Sequence, residues 1–488
     1  MTRGEEPDFT HLDPAERVRA LSERGIAQAR AGEGIAAVIS LKEAEQIALD
    51  AGLASLAIGA HIDRGWALWL GGEAAGAAAL YAEGAQMARD AGDAARLRVA
   101  LGNLGIAYSH LGRPADALST YEEYLPLLVD DPAEAADAHL NAGSALVSLD
   151  RADEAGAHFD TAERLAEAAG LIEPRVVVNL NRGVLLERSG DIDAAFERYW
   201  QAFDLAEEAK DADLIGRTTL TLGRAYTRAG DHTHACDCLG EAARAFRHEE
   251  DKARLVEALR LQGAALQAVG LIDAALEAWD EEDAILRERR DDLALGDCVL
   301  RKALMLAAQS TSPGVELLFV EAADLFRSAS ATDRLAEVYQ AHAQLLRDRG
   351  RDEEAAQRLE QAFGALAEAP NPGVESRARG LRALMLADAG ECEAAAQELD
   401  AAEAIAGGLG DWQALTGLRA RRAYVLAREG RPLADVVAQL RAAAESAASA
   451  GSPGIAERAV NLVANEITVR CGDEYRDVPA EWPVATPS

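Results

Sequence analysis

Two histidines and two cysteines stand close together in the segment DHTHACDC, and these residue types could hold a metal ion. They are His232, His234, Cys236 and Cys238. The segment is expected to begin a helix, where residues two apart point to opposite sides and only residues four apart share a face. His234 and Cys238 would then supply two ligands, whereas a structural zinc ion needs four. Incidental clustering is therefore favoured over a metal site, and no metal or other cofactor is expected.

Catalytic motifs are missing from the sequence. It contains no phosphate-binding loop, no nucleophile elbow and no paired-histidine motif. Carboxylates are abundant, but in segments such as DEEDA and RDEEAA they are expected on outward helix faces, where solvation and pairing along the helix explain them. Because no residue stands in a recognisable catalytic arrangement, the sequence predicts a protein that is not an enzyme.

The elements that must position any site come from a repeat of about 40 residues. Small residues recur inside helical stretches with a spacing of 40 residues at every step but one, which is 38. These positions, which we call the anchors, are Gly25, Gly65, Gly105, Gly143, Gly183, Gly223, Gly263, Ala303, Ala343, Ala383 and Ala423. A large apolar residue follows three positions after ten of the anchors, a glycine seven positions after nine, and an alanine twelve positions after nine. Since glycine suits the left-handed end of a helix, each repeat is predicted to be a hairpin of a first and a second helix.

Bulky residues sixteen positions after the anchors, such as Tyr81, Tyr121 and Phe159, are expected to fill the gap to the next hairpin. The segment LGNLGIAYSHLGRPADALSTYEEYL, from Leu101 to Leu125, resembles the tetratricopeptide repeat (TPR) family, and the resemblance covers residues 15 to about 450. It implies an all-α fold, a right-handed superhelical solenoid of about eleven helix-turn-helix TPR-like repeats. The period exceeds the family's usual length of about 34 residues and is similar to the long repeats of kinesin light chains and bacterial TPR regulators.

The repeat also divides the chain. Residues 1–14 are expected to form a flexible N-terminal segment and residues 15–450 the repeat array. Residues 451–470 carry apolar positions without a following partner and are predicted to form a C-terminal capping helix. Residues 471–488, with three prolines in the last ten, are predicted to be a disordered tail, although Trp482 within it could instead be a docking element.

Composition limits the partners. Acidic residues outnumber basic ones by 83 to 49, and the formal net charge of −34 repels phosphate backbones and anionic lipids. Neither nucleic acid nor membrane is expected as a partner. The five cysteines are few and odd in number, which favours reduced thiols, and the sequence shows neither a signal peptide nor a membrane span, which favours the cytoplasm.

The TPR resemblance points to one stripe of the first helices as the binding surface. Positions six and two before the anchor, and one and five after it, form a stripe opposite the packed side, which in the family lines the concave groove. At the position two before the anchor, consecutive repeats carry Asn103, Asn141 and Asn181, followed by Thr221. Asparagine donates and accepts hydrogen bonds, so this ladder could hold the backbone of an extended peptide. Equally, asparagine could simply be part of the repeat consensus.

Positive charge gathers on the same stripe, at Arg188, Arg217, Arg224 and Arg228, with Arg260 at its edge. In so acidic a chain, this run suggests a slot for acidic groups. The alternative is that Glu187 and Glu257 pair with the arginines in a purely structural network.

Together these features predict a non-enzymatic adaptor or scaffold that binds a protein or peptide, including one with an acidic segment, in the TPR groove. The alternative is a sensory regulator whose repeats bind a small peptide or inducer and which acts through a second protein. The sequence indicates neither the partner's identity nor the oligomeric state.

Overall fold

The structure is a computed structural model that describes residues 9, 11–308, 314–449, 453–471, 475 and 477–478. Within these residues it contains 23 α-helices, one short 3-10 helix and no β-strand. None of the described helices has the length and apolar character needed to cross a membrane. The chain divides into two compact units, Met1–Gly270 and Leu271–Ser488.

The first unit is a series of helix hairpins in which odd-numbered helices are the first helices of the repeats. Its helices are α1 (Pro14–Arg30), α2 (Gly34–Asp50), α3 (Ala54–Leu70), α4 (Ala74–Ala91), α5 (Ala94–His110), α6 (Pro114–Tyr124), the 3-10 helix (Leu125–Leu128), α7 (Pro132–Ser148), α8 (Ala152–Ala169), α9 (Ile172–Ser189), α10 (Ile192–Ala209), α11 (Ala212–Arg228), α12 (His232–His248) and α13 (Lys252–Ala268). Helices adjacent in the chain pack together, and first helices of adjacent repeats also touch, as α7 does α9 and α11 does α13.

The second unit continues the same alternation. Its helices are α14 (Ile272–Arg289), α15 (Asp292–Ala307), α16 (Gly314–Ser328), α17 (Thr332–Asp348), α18 (Asp352–Glu368), α19 (Pro372–Asp388), α20 (Cys392–Leu409), α21 (Trp412–Arg428), α22 (Leu433–Ser449) and α23 (Pro453–Arg470). The all-α repeat fold expected from the sequence is thus confirmed.

Local sequence sets the ends of the helices. Aspartates precede many of them, and the carboxylates of Asp131 and Asp211 accept hydrogen bonds from backbone N–H groups three residues later, at 3.1 and 3.0 Å. Glycines end the first helices: Gly190, for example, has a φ of 87°, a conformation that costs other residues energy. In one of the two repeats that lack this glycine, Asp150 takes its place with a φ of 59°.

The anchor glycines make room for a large side chain of their own hairpin. A Cβ atom added to Gly105 would lie 2.5 Å from the ring of Tyr121, sixteen positions later, and Gly143 stands in the same relation to Phe159. Both aromatic rings are fully buried. Each ring therefore lies over the missing side chain of its own anchor, where it closes its own hairpin. The expectation that these residues also fill the gap to the next hairpin stays a prediction.

This packing predicts opposite effects for two glycine-to-alanine changes. Gly105→Ala should lower the free energy of unfolding by about 1–3 kcal/mol, because the new methyl group displaces the Tyr121 ring. Gly156→Ala, within α8, should raise it by up to about 1 kcal/mol, because no atom lies within 4 Å of the new methyl group and alanine favours helix. Urea denaturation of both variants measures the difference. Equal stabilities would contradict this packing.

The carboxylates of the DEEDA segment are not all on an outward face. Glu282 and Asp283 are buried, with 2% and 8% of their surface exposed. The guanidinium of Arg301 donates to Glu282 at 2.7 Å and the Lys302 ammonium donates to Asp283 at 3.1 Å. The expectation of solvated carboxylates was wrong here because α14 presents them to α15, whose cations neutralise them. In the RDEEAA segment, Glu354 is exposed and pairs with Arg351.

The C-terminal region contains more packed structure than its composition suggests. Helix α23 lies in the stretch predicted to form a cap, and it packs on α21 and α22. Beyond it, Tyr475 and Val478 are buried in the same apolar core as Tyr424, and the Tyr475 hydroxyl donates to the carbonyl oxygen of Arg431 at 2.7 Å. These two positions differ from the predicted disordered tail. Residues 1–8 and 10, and residues 472–474, 476 and 479–488 of the tail with Trp482, lie outside the described residues.

Candidate binding site

In the first unit, side chains of the predicted stripe contact one another between neighbouring first helices. The Nδ2 atom of Asn181, on α9, donates to the Ser144 hydroxyl on α7 at 2.9 Å. The guanidinium of Arg228, on α11, donates to the Glu187 carboxylate on α9 at 2.7 Å. Side chains of neighbouring first helices thus meet along the stripe.

Of the four uncharged polar residues two positions before the anchors, two are hydrogen-bonded within the described chain and two are not. Asn181 is held by Ser144, and the Thr221 hydroxyl donates to the carbonyl oxygen of Arg217 in its own helix at 2.9 Å. The side chains of Asn103 and Asn141 are partly exposed and make no hydrogen bond to any described residue. Two amides, one repeat apart, therefore keep both a donor and an acceptor available.

Each of the four arginines has a carboxylate partner on a neighbouring repeat or loop. Arg188 pairs with Asp150 and also donates to the carbonyl oxygen of Val147 at 2.6 Å. The remaining pairs are Arg217 with Glu173 at 3.0 Å, Arg224 with Glu257, and Arg228 with Glu187. The network that was the alternative to a binding slot is present, and it ties α7, α9, α11 and α13 together.

These pairs leave the arginines able to take a further anion. The Arg188 and Arg228 side chains are about half exposed, at 46% and 54%, and a guanidinium has five N–H donors. Burial, together with the neighbouring positive charges of Arg228 and Arg260, lowers the pKa of Arg224. An additional carboxylate would reduce this repulsion between cations. By contrast, the hydrogen bond from Arg228 lowers the pKa of Glu187, which therefore stays ionised.

Three apolar residues on the stripe were missed by the sequence reasoning. Val99 and Ile106 occupy the positions six before and one after the anchor of α5, beside Asn103, and each is nearly half exposed, at 46% and 47%. Leu70, at the end of the α3 stripe, is also exposed. The stripe offsets alone would have identified all three, because large apolar residues at solvent-facing positions are unusual. The surface thus changes from apolar at α3 and α5 to basic at α11.

The His and Cys cluster at the start of α12 does not converge on one point. The Nδ1 atom of the His234 ring donates to the Asp231 carboxylate at 2.6 Å and the ring stacks on Tyr226, while Cys238 is buried. Among the described residues, no group of three or more His, Cys, Asp or Glu side chains could hold a metal ion. All five cysteines are free thiols, as expected.

Comparison with known proteins bears on the fold. No protein-family model and no curated protein matches the sequence. Among solved structures, a signal transduction ATPase with a tetratricopeptide repeat sensor from Pyrococcus horikoshii matches with 14% identity and a TM-score of 0.50, over 69% of this chain and 53% of that chain. Aspartyl phosphate phosphatase F from Bacillus subtilis matches with 13% identity and a TM-score of 0.47, over 76% of this chain and 94% of that chain. The quorum sensor NprR from B. thuringiensis matches with 13% identity and a TM-score of 0.45, over 72% of this chain and all of that chain.

Sequence identities this low are evidence for the fold alone. The repeat length, the anchor glycines covered by aromatic rings and the likeness to the Pyrococcus horikoshii structure agree with one another. This chain folds as an array of tetratricopeptide-type helix hairpins.

Proposed function

We propose that this chain is a non-enzymatic adaptor or scaffold that binds an extended, partly acidic segment of a partner protein along the stripe of its first unit. The residues assigned to this role are Asn103, Asn141, Asn181, Arg188, Arg217, Thr221, Arg224 and Arg228. The observation that carries the proposal is the pair of free amides, Asn103 and Asn141, in register with the arginines of the next repeats.

The chemistry of the stripe suggests how a segment would lie on it. A peptide backbone offers a donor and an acceptor at every residue, which the free amides can pair with regardless of sequence. Apolar side chains of the segment would contact Val99 and Ile106, which are exposed without it. Acidic side chains would reach Arg224 and Arg228, which already bind carboxylates in the chain itself.

The test is a double substitution, Asn103→Ala with Asn141→Ala. Peptides are first selected from a displayed random library against the immobilised parent protein, and their affinities are measured by fluorescence anisotropy. The double variant should bind the selected peptides about tenfold more weakly, because each lost hydrogen bond contributes about 0.5–1.5 kcal/mol. Its circular dichroism and melting should match the parent, since neither amide bonds to the rest of the described chain.

The matched control is Gln46→Ala with Gln86→Ala. Both glutamines are exposed amides on second helices of the same unit, where each donates to an aspartate four residues later and Gln86 also accepts from Arg89 at 3.1 Å. The control should bind like the parent. If the control loses as much affinity as the asparagine variant, or if the asparagine variant loses none, the stripe is not the binding surface.

The alternative is a sensory regulator. It is supported by the description of the Pyrococcus horikoshii repeats as a sensor. A sensor must adopt different conformations with and without its ligand. Solution scattering of the protein with and without a selected peptide separates the two functions, because an adaptor should give the same profile in both states.

A further inference from the structure

A cavity of about 500 Å³ in the second unit carries two charged groups that the chain itself does not pair. The cavity lies among α17, α19, α21 and the final helix α23. Its lining includes Asp348, Leu384, Arg421, Val463 and Glu466. A volume of this size is typical of small-molecule sites, which are commonly apolar with a few polar groups that fix orientation.

Arg421 is the unpaired cation. Its partly buried guanidinium has no hydrogen bond and no ion pair with any described residue. One of its nitrogens, Nη1, rests on α19 at Gly380, where an added Cβ atom would lie 2.7 Å from it. Burial lowers the pKa of this guanidinium. Partly desolvated arginines are normally paired, because leaving the charge without a counter-ion is costly.

The nearby acids Glu466 and Asp388 pair with other arginines, and neither forms an ion pair with Arg421. Glu466, on α23, accepts from Arg347 at 2.5 Å, and Arg347 also donates to Asp388 at 2.9 Å. Arg470 approaches the same Asp388 carboxylate at 3.7 Å and donates to the carbonyl oxygen of Arg347 at 3.1 Å. Glu466 and Asp388 are therefore already bound to other arginines.

Asp348 is the unpaired anion, at the end of α17. Its carboxylate accepts a hydrogen bond from the Gln344 amide at 2.8 Å and forms no ion pair within the described chain. Although Asp348 is exposed, partial desolvation raises the pKa of its carboxylate, and the nearby Glu466 charge raises it further. Asp348 and Arg421 line the same cavity from different helices without forming an ion pair with each other.

Besides Gln344 and the paired Glu466 and Arg470, the cavity has an apolar wall. Leu384 and Val463 are buried with 2% and 6% of their surface exposed, while Leu462 on α23 is largely exposed at the rim. The cavity therefore offers one unpaired positive group, one unpaired negative group and an apolar wall, beside the paired Glu466 and Arg470.

We propose that this cavity binds a small apolar α-amino acid as its zwitterion. The ligand's carboxylate pairs with the Arg421 guanidinium, its ammonium group with the Asp348 carboxylate, and its side chain packs on Leu384 and Val463. Such a ligand satisfies both charges at once. Because it is neutral overall, it escapes the long-range repulsion that a simple anion meets from a chain with a net charge of −34. This site lies in the other unit and does not rest on the proposed function.

The experiment is calorimetric titration and thermal melting of the full chain with L-leucine and three probes related to it. The probe 4-methylpentanoate lacks the ammonium group, 3-methylbutylamine lacks the carboxylate, and leucyl-leucine separates the two charges. Leucine should bind and raise the melting temperature, and each of the three probes should bind at least about tenfold more weakly, since each lacks or displaces one charge-assisted contact.

Two variants test the assignment of the charges. Arg421→Met and Asp348→Asn should each abolish the leucine response. Arg421→Met should melt at or above the parent temperature without ligand, because it removes an unpaired charge. The control Arg441→Met, which removes an exposed arginine on α22, should respond to leucine like the parent.

Several results would overturn the proposal. One is the absence of any leucine response at concentrations up to about 10 mM, which would mean a binding free energy weaker than about −3 kcal/mol. Another is an unchanged leucine response in either Arg421→Met or Asp348→Asn. Binding of leucyl-leucine as tight as that of leucine would exclude a free amino acid as the ligand.

Discussion

Replacing Arg347 with methionine is expected to lower the free energy of unfolding of the second unit by about 3–5 kcal/mol, the range for breaking a buried ion pair. Arg347 is 1% exposed and pairs with Asp388 at 2.9 Å and with Glu466 at 2.5 Å. Its guanidinium also lies over the Tyr424 ring, 5.7 Å from the centroid. Methionine keeps much of the volume but leaves two carboxylates without their main cation. Urea denaturation followed by circular dichroism measures the loss.

The matched control for this prediction is Arg327→Met. Arg327 pairs with Asp324 three residues before it, and both side chains are more than half exposed. An exposed pair of this kind contributes about 0–1 kcal/mol, so the control should unfold almost like the parent. The double variant Arg347→Met with Glu466→Gln should be more stable than Arg347→Met alone, because one of the two unpaired charges is gone. A loss below about 1 kcal/mol for Arg347→Met would show that the α17–α23 ion pair contributes little.

The second large effect concerns binding. Arg224→Gln with Arg228→Gln should weaken the affinity for an acidic peptide segment by about tenfold or more, because a hydrogen bond to a charged group contributes about 1.5–3 kcal/mol. Glutamine is preferred to glutamate, since a new carboxylate would stand beside Glu187 and Glu257 and disturb the chain itself. The affinity of the parent should also fall with added salt, and that dependence should be weaker in the variant.

The control for this charge removal is Arg113→Gln with Arg151→Gln. These arginines lie in the turns between the helices of two hairpins, each paired with an acidic residue three positions later. Removing them changes the net charge by the same amount without touching the stripe. If the control weakens peptide binding as strongly as the stripe variant, long-range electrostatics and not the stripe carries the affinity.

The repeat architecture could be predicted from sequence because its signals are local or strictly periodic. Gly190 indicates a left-handed helix end at its own position. Gly105 indicates a position where a side chain of the neighbouring helix approaches the backbone closely, and such glycines recur at a fixed spacing. The sequence did not show that the Tyr121 ring covers Gly105 of its own hairpin. Periodicity fixes that Tyr121 faces inward, but not whether it meets its own hairpin or the next one, which depends on how closely the two helices cross.

The state of the candidate site could be predicted only in part. The stripe offsets selected side chains that meet between neighbouring first helices, yet charge pairing depends on partners far apart in sequence, such as Glu173 for Arg217 and Glu257 for Arg224. Sequence reasoning named Glu187 and Glu257 as possible partners but had no distances with which to decide. The buried acids Glu282 and Asp283 were missed for a related reason, since their burial is compensated by cations on the next helix.

The packing of Tyr475 has a practical consequence for producing the protein. Judged by composition, a chain that ends at residue 471 would suit expression and crystallisation, because the residues after it were predicted to be disordered. Such a boundary would remove the hydrogen bond to Arg431 and expose the part of the core covered by Tyr475 and Val478. Shortened forms of the chain should therefore keep residue 478, and affinity tags are better attached after it or at the other terminus.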